Sequence, residues 1–141
     1  MKLSRKLFVV GNWKMNTDLL TAKKLATDIA AASPQGNVLK IIFPPFPFLA
    51  SLKDILHEAG IKTGAQNCSE HQKGAYTGEV SAEMIKSCGA EFVLIGHSER
   101  RQYFHENNAQ LIKKIERCLE NNLSPVLCVG EKLEERKSGN H

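Results

Sequence analysis

The chain has 141 residues, of which 42% are hydrophobic and 24% charged, and its formal net charge is +4. This balance is typical of one globular domain and excludes a collagen, a low-complexity tail and a disordered polyampholyte. No apolar run approaches the roughly 18 residues of a membrane span, and the basic residues are scattered, so we predict neither a membrane nor a nucleic-acid partner.

Strand and helix patterns alternate in the first half of the chain. Two apolar runs, Leu7–Val10 and Val38–Phe43, predict strands, and the second ends at a proline pair that no helix crosses. A helix is predicted after each strand, and the first is capped by Thr17 or Asp18. The apolar faces of these helices comprise Ala22, Leu25, Ala26 and Ile29 in the first and Leu49, Leu52, Leu56 and Ala59 in the second.

The second half continues the alternation. The run Ile61–Ala65 predicts a third strand, and residues 66–80 form a long polar connection. A short helix over about Ser81–Cys88 leads to a fourth strand, Phe92–Ile95, and a fifth strand is predicted at Val126–Val129. Two further helices are indicated by the apolar row Leu111, Ile115 and Leu119 and by the charged stretch Glu131–Lys137.

The alternation defines the fold class as α/β. Strands separated by helices pair in parallel, because each crossover returns the chain to the same end of the sheet. The strands are unbroken apolar runs, so we expect both faces of the sheet to be covered. Two architectures remain open at this point, a doubly wound open sheet and a (β/α) barrel.

In either architecture, ligands bind at the carboxyl ends of the strands. Polar side chains that can donate, accept or titrate gather there. They lie in Gly11–Asn16 after the first strand, at Gln66 and Asn67 after the third, in Gly96–Arg101 after the fourth, and at Gly130 and Glu131 after the fifth. Loops are polar in any protein, but the gathering at one rim favours a ligand site.

Lys14 is the first candidate for chemistry at this rim. Its ammonium could attract an anionic substrate or stabilise a developing oxyanion, although a lysine is more often a solvated surface residue. Asn12 lies two residues earlier and points to the same side of an extended chain. It could bind the same ligand or hold Lys14 in place.

His97 is the second candidate, because it follows a buried strand where Ser98 looks like the cap of a helix. The positive end of that helix dipole disfavours the imidazolium form. A neutral imidazole can donate an N–H to a substrate oxygen and shuttle a proton, but a backbone group could equally satisfy this ring. Glu99 could act as an acid or base, and we favour an ion pair with Lys14 or Arg100.

Signatures of other chemistries are missing from the sequence. It contains no GxGxxG, GxxxxGK[ST], HExxH or GxSxG motif. The cysteines show neither a CxxC spacing nor a histidine at zinc-finger distance. Leu7–Val10 is also shorter than the core of a signal peptide. We therefore predict a cytoplasmic protein without a metal site, whose cysteines are free thiols mostly in the core. These cysteines are Cys68, Cys88, Cys118 and Cys128.

Taken in order, the segments of the rim closely resemble those of the triosephosphate isomerase family. The matching segments are Gly11–Asn16 (GNWKMN), Gly64–Asn67 (GAQN), Gly74–Glu79 (GAYTGE), Ile95–Arg101 (IGHSERR) and Cys128–Glu131 (CVGE). The resemblance implies a (β/α)₈ TIM barrel and no cofactor. It also implies interconversion of dihydroxyacetone phosphate and glyceraldehyde 3-phosphate by proton transfer through an enediolate, a reaction of glycolysis and gluconeogenesis.

The resemblance also implies a role for each matching residue. Lys14 would attract the charges of the phosphate and the enediolate, Asn12 would orient the substrate, and His97 would polarise its carbonyl oxygen. Residues implied to support them are Ser98, Glu99 and Cys128. The family is typically a homodimer, and in such a dimer Met15 and Thr77 would be contact residues.

The chain contains five of the eight strands of such a barrel. A full barrel takes about 250 residues, so residues 1–141 correspond to one partial TIM-barrel domain, truncated after the fifth strand. The glutamate base of the family follows the sixth strand, and nothing after Glu131 matches it. Each apolar side chain that stays exposed to water loses a stabilisation of roughly 1.5–3 kcal/mol. We therefore expect the isolated polypeptide to be marginal in stability, prone to association and inactive. The alternative function is a non-catalytic assembly module that acts through the third loop, which follows the third strand, and through the exposed strand edges.

Overall fold

The computed structural model describes residues 6–34, 36–131 and 133–139. Five strands form one sheet in the order β1-β2-β3-β4-β5, and every neighbouring pair is parallel. The strands are β1 (Leu7–Asn12), β2 (Val38–Phe43), β3 (Ile61–Ala65), β4 (Phe92–Ile95) and β5 (Ser124–Leu127). Each strand lies beside its neighbour in sequence, which is the order of a (β/α) barrel; in a doubly wound sheet the strand order reverses. Of the two predicted architectures, the structure therefore has that of the (β/α) barrel.

Helices connect the strands, and side chains at their first turns define where they begin. The helices are α1 (Leu19–Ala32), α2 (Leu49–Glu58), α3 (Ala82–Ser87), α4 (Ser98–Tyr103), α5 (Asn108–Glu120) and α6 (Leu133–Ser138). Of the two predicted caps for α1, the structure uses Asp18, whose carboxylate accepts the N–H of Thr21 at 2.8 Å. Asn107 and Gln110 form the equivalent reciprocal cap of α5. Within the described residues, no helix has both the length and the apolar character needed to cross a membrane.

Alternate residues of the central strands face two different layers. Ile42 packs with α1 and α2 through Ala22, Ala26, Leu52 and Leu56, which places it on the outer, helix-covered face. Its neighbours Ile41 and Phe43 pack instead with Leu94 and other residues of the strands, on the inner face. The prediction that both faces are covered is confirmed for these strands.

The outermost strands depart from the prediction. The four residues Leu7–Val10 of β1 are 44–66% exposed, because β1 lies at the edge of the described sheet with β2 as its one neighbouring strand there. β5 begins at Ser124, two residues earlier than predicted, and includes Pro125. Proline has no N–H to donate to a neighbouring strand. It therefore fits an outermost strand, where that position faces away from the sheet.

The buried face of α5 also differs from the predicted row. Leu111 is buried, but Leu119 is 60% exposed, whereas Lys114 is 5% exposed. Spacings of three and then four residues keep Leu111, Lys114 and Cys118 on one side of a helix with 3.6 residues per turn. The predicted free thiols are confirmed, with Cys68 and Cys118 buried and the other two cysteines half-buried.

Gly64 is needed where the ring of Phe43 crosses β3. A Cβ atom at this position would lie 2.3 Å from Cε1 of Phe43, inside van der Waals contact. We expect Gly64→Ala to lower the free energy of unfolding by about 1–3 kcal/mol, the usual cost of overpacking. Urea denaturation followed by circular dichroism measures this difference. The matched control is Gly36→Ala, where no atom lies within 4 Å of the added methyl, and equal effects of the two substitutions would contradict the prediction.

Candidate active site

The loop after β1 presents Lys14 on a constrained backbone. The φ angle of Lys14 is 54°, in the left-handed region that residues with a Cβ rarely adopt. Its N–H donates to Oδ1 of Asn12 at 2.9 Å, and its carbonyl accepts from Nε2 of Gln66 at 2.8 Å. This contact corresponds to one of the two roles predicted for Asn12, that of holding Lys14 in place.

The side chain of Lys14 meets the segment that follows β4. Its Nζ donates to Oε1 of Glu99 at 2.6 Å, and Oε2 of the same carboxylate lies 3.5 Å from Nδ1 of His97. The hydrogen bond from Lys14 holds the pKa of the Glu99 carboxyl below its usual value. One carboxylate thus brings together the two side chains that the sequence singled out. The predicted ion pair of Glu99 forms with Lys14, whereas Arg100 contacts a different carboxylate.

The N-cap of α4 is His97, not Ser98 as the sequence predicted. Nδ1 of His97 accepts the N–H of Glu99 at 3.3 Å, so His97 caps α4, and Ser98 is the exposed first residue of that helix. The prediction of Ser98 as the cap is wrong, because the imidazole itself provides the acceptor. Since Nδ1 accepts, the proton of the neutral ring is carried by Nε2. The imidazole can then donate through Nε2 to a substrate oxygen.

Arg101 links the carboxyl ends of β4 and β5, a role that the sequence analysis missed. Its guanidinium donates to the carbonyl of Gly96 at 2.8 Å, to that of Cys128 at 3.4 Å and to Oδ1 of Asn108 at 3.0 Å. Gly96 has a φ of 70°, and a Cβ there would lie 2.7 Å from Leu111. Burial raises the pKa of the Cys128 thiol, which favours its protonated form. Cys128 therefore borders the site as a neutral group.

A buried network of charges lies behind α4, and nothing in the sequence pattern marked it. Oε1 of Glu106 accepts from Nζ of Lys114 at 2.5 Å and from Nε of Arg100 at 2.6 Å. Lys114 also donates to Oδ1 of Asn67 at 2.8 Å. Burial alone would raise the pKa of the Glu106 carboxyl, but the hydrogen bonds from Lys114 and Arg100 outweigh it and hold the pKa below its usual value. The network ties the helix that His97 caps to the loop after β3.

Met15 and Thr77 both lie on the surface, as contact residues would. Met15 is 96% exposed at the end of the β1 loop, and Thr77 is exposed in the connection between β3 and α3. In the part of the chain that the structure describes, no group of three or more His, Cys, Asp or Glu side chains is arranged to hold a metal ion.

The fold and the site together define a class of protein. Parallel strands in sequential order curl into part of a barrel, and the ammonium, carboxylate and imidazole converge where β1 and β4 end. This is the geometry of a (β/α)-barrel protein with its ligand site at the carboxyl ends of the strands.

The chain belongs to the triosephosphate isomerase family, whose model matches residues 7–141. It is 50% identical over 138 residues to the triosephosphate isomerase of Phocaeicola vulgatus, covering 95% of this chain and 54% of that relative. The enzyme of Porphyromonas gingivalis is 47% identical over 140 residues, with 97% and 55% covered.

A solved structure agrees with these matches. The crystal structure of triosephosphate isomerase from Bartonella henselae superimposes with a TM-score of 0.86 at 37% identity, covering 96% of this chain and 56% of that one. The chain thus spans about half the length of the relatives that it matches. The recognition of the family and the partial (β/α)₈ barrel predicted from the sequence are confirmed.

Proposed function

We propose that this chain supplies the substrate-binding and polarising half of a triosephosphate isomerase. The observation that carries the proposal is the contact of Lys14 with Glu99 beside His97, at the carboxyl end of the sheet. The substrates would be dihydroxyacetone phosphate and glyceraldehyde 3-phosphate, and the proposed compartment is the cytoplasm, which four free thiols favour.

The proposed chemistry is proton transfer next to a carbonyl. A base removes a proton from the carbon beside the carbonyl, and negative charge develops on the carbonyl oxygen. Nε2–H of His97 would donate to that oxygen, and the Lys14 ammonium would stabilise the charge of the enediolate and the phosphate. The resemblance places the base on a glutamate after a sixth strand, beyond the five strands present here. We therefore expect residues 1–141 on their own to be inactive.

The proposed partner is a second copy of the protein. The family resemblance assigns Met15 and Thr77 to the contact between subunits, and the exposure of both side chains is compatible with that role. In such a dimer, Thr77 would support the Asn12 and Lys14 of the neighbouring subunit. Size-exclusion chromatography with light scattering tests this assignment at the length of the relatives.

A chimeric protein provides the direct test of the activity. It consists of residues 1–141 followed by the part of the Phocaeicola vulgatus enzyme that lies beyond the matched region. We expect the purified chimera to isomerise glyceraldehyde 3-phosphate in a coupled assay, and residues 1–141 alone to show no turnover. A chimera that unfolds cooperatively but has no isomerase activity would overturn the proposal.

Lys14→Met in this chimera is expected to lower kcat/KM by about 10²–10³-fold, the usual loss on removing a preorganised donor to a developing negative charge. Methionine keeps a long unbranched side chain and removes the ammonium. The control is Lys24→Met, which removes a surface ammonium paired with Asp28 on α1. Kinetics of the Lys14 variant within twofold of the unsubstituted chimera would remove its assigned role.

The second candidate function, a non-catalytic assembly module, is favoured by one observation. The outer strands of the described sheet carry exposed apolar side chains, Leu7–Val10 on β1 and Leu127 on β5. Mixing residues 1–141 with the separately expressed remainder of the Phocaeicola vulgatus enzyme distinguishes the two candidates. Association with recovered activity supports the isomerase, and stable association without activity supports the module.

A further inference from the structure

Gln66, the first residue after β3, donates both hydrogens of its carboxamide nitrogen to the backbone. Nε2 lies 2.8 Å from the carbonyl oxygen of Lys14 and 2.9 Å from that of Phe43, the last residue of β2. An amide nitrogen carries two hydrogens, so each bond has its own donor. One half-buried side chain therefore joins the carboxyl ends of three strands, β1, β2 and β3.

The loop around Lys14 depends on these bonds for its conformation. The left-handed φ of 54° is unfavourable for lysine, and such a conformation persists where surrounding contacts over-determine it. Here Asn12 holds the N–H of Lys14 and Gln66 holds its carbonyl. The N–H of Trp13 also donates to Phe43 at 3.1 Å, which fixes the preceding residue against β2.

We infer that Gln66 is a positioning residue that aims the ammonium of Lys14 at the substrate; the kinetic part of this inference rests on the proposed function. The backbone angles of Lys14 set the direction in which its side chain leaves the loop. In the observed direction, Nζ reaches Glu99 at 2.6 Å, beside His97. Without the carboxamide, two carbonyls lose a donor, and Lys14 relaxes to an extended or right-handed conformation that turns its side chain away.

The first test measures position without measuring activity. Gln66→Met preserves the length of the side chain and removes both donors. Because the hydrogen bond from Lys14 lowers the pKa of the Glu99 carboxyl, we expect this pKa to rise toward its usual value in the variant, as measured by carbon-13 NMR titration of the chimera. The matched control is Gln72→Met, whose carboxamide contacts Glu120 at the surface.

The second test is kinetic and uses the chimera. We expect Gln66→Met to lower kcat/KM on the order of 10²-fold, the cost of a misplaced catalytic group about 1 Å from its working position. If Gln66 acts through Lys14, the substitution has no further effect in a chimera that already carries Lys14→Met. Losses that multiply in the double variant would instead show a general structural role and overturn the inference.

The two tests separate this inference from the proposed function. A raised Glu99 pKa in Gln66→Met, together with an unsubstituted chimera that folds but lacks activity, upholds the positioning and rejects the isomerase. An unchanged Glu99 pKa and unchanged kinetics reject the positioning and leave the isomerase intact. If Gln66→Met does not fold, Gln66→Asn is measured in its place, since it retains the amide but is one methylene too short to reach both carbonyls.

Discussion

Glu106→Gln is expected to lower the free energy of unfolding by about 3–5 kcal/mol, the loss found when one partner of a buried ion pair is removed. Lys114 is 5% exposed, so without the carboxylate its ammonium would stay buried among neutral hydrogen-bond acceptors such as Asn67, with its charge uncompensated. Arg100 would lose the same partner. Chemical denaturation of the chimera at neutral pH measures the difference.

The exposed ion pair of the site supplies a matched control. Glu99→Gln removes a carboxylate that also accepts from a lysine, but both partners are half-exposed, so we expect a loss of no more than about 1 kcal/mol. The contrast between the two glutamates isolates burial as the cause. Equal losses for Glu106→Gln and Glu99→Gln would contradict this explanation.

The carboxylate of Glu106 also makes the stability of the fold depend on pH. The pKa of Glu106 is lower in the folded chain than its ordinary value of 4.5, so the folded state favours the ionised form. Its contribution to stability is therefore complete above the unfolded-state pKa and is lost as the pH falls through the folded-state pKa. We expect the difference between the unsubstituted chimera and its Glu106→Gln variant to shrink below about pH 4.5 and to remain constant from about pH 6 to about pH 8.

The second large effect is expected at His97. His97→Asn in the chimera should lower kcat by about 10²–10⁴-fold with a smaller change in KM, because it removes the donor to the oxygen that becomes negative in the transition state. Asparagine is chosen since its side-chain oxygen can still accept the N–H of Glu99 and cap α4. The substitution thus separates the cap from the chemistry of Nε2.

His105→Asn is the control for this experiment. His105 is exposed and has a φ of 54°, a conformation that asparagine tolerates. We expect its steady-state kinetics to match those of the unsubstituted chimera. If kcat of the His97 variant stays within tenfold of kcat of the unsubstituted chimera while α4 remains folded, the imidazole does not act as the electrophile.

Several features of the fold follow from local rules and are confirmed by the structure. Short, mainly apolar runs marked β2, β3 and β4, and the pair Thr17 and Asp18 marked the start of α1, because these signals lie within a few neighbouring residues. The rim residues Lys14 and His97 were found for a related reason. Parallel strands bring all their carboxyl ends to one side, so the position of a residue after a strand already predicts where it lies.

The contacts between distant segments could not be predicted in this way. Lys114 falls within a charged helical pattern that ordinarily indicates a solvated face. Its burial becomes favourable because it forms an ion pair with Glu106. Likewise Gln66 is one polar loop residue among many until the ends of β1 and β2 place two carbonyls within reach of it.

The sequence by itself determined the alternation of strands and helices, the polar rim and the family to which the chain belongs, since each is written in neighbouring residues and their spacing. The tertiary structure alone decided that His97 caps α4, that Lys14 is held in a left-handed conformation, and which carboxylate each cation meets. Hydrogen bonds and ion pairs act over about 3 Å, and the folded sheet is what brings residues 85 positions apart, such as Lys14 and Glu99, to that distance.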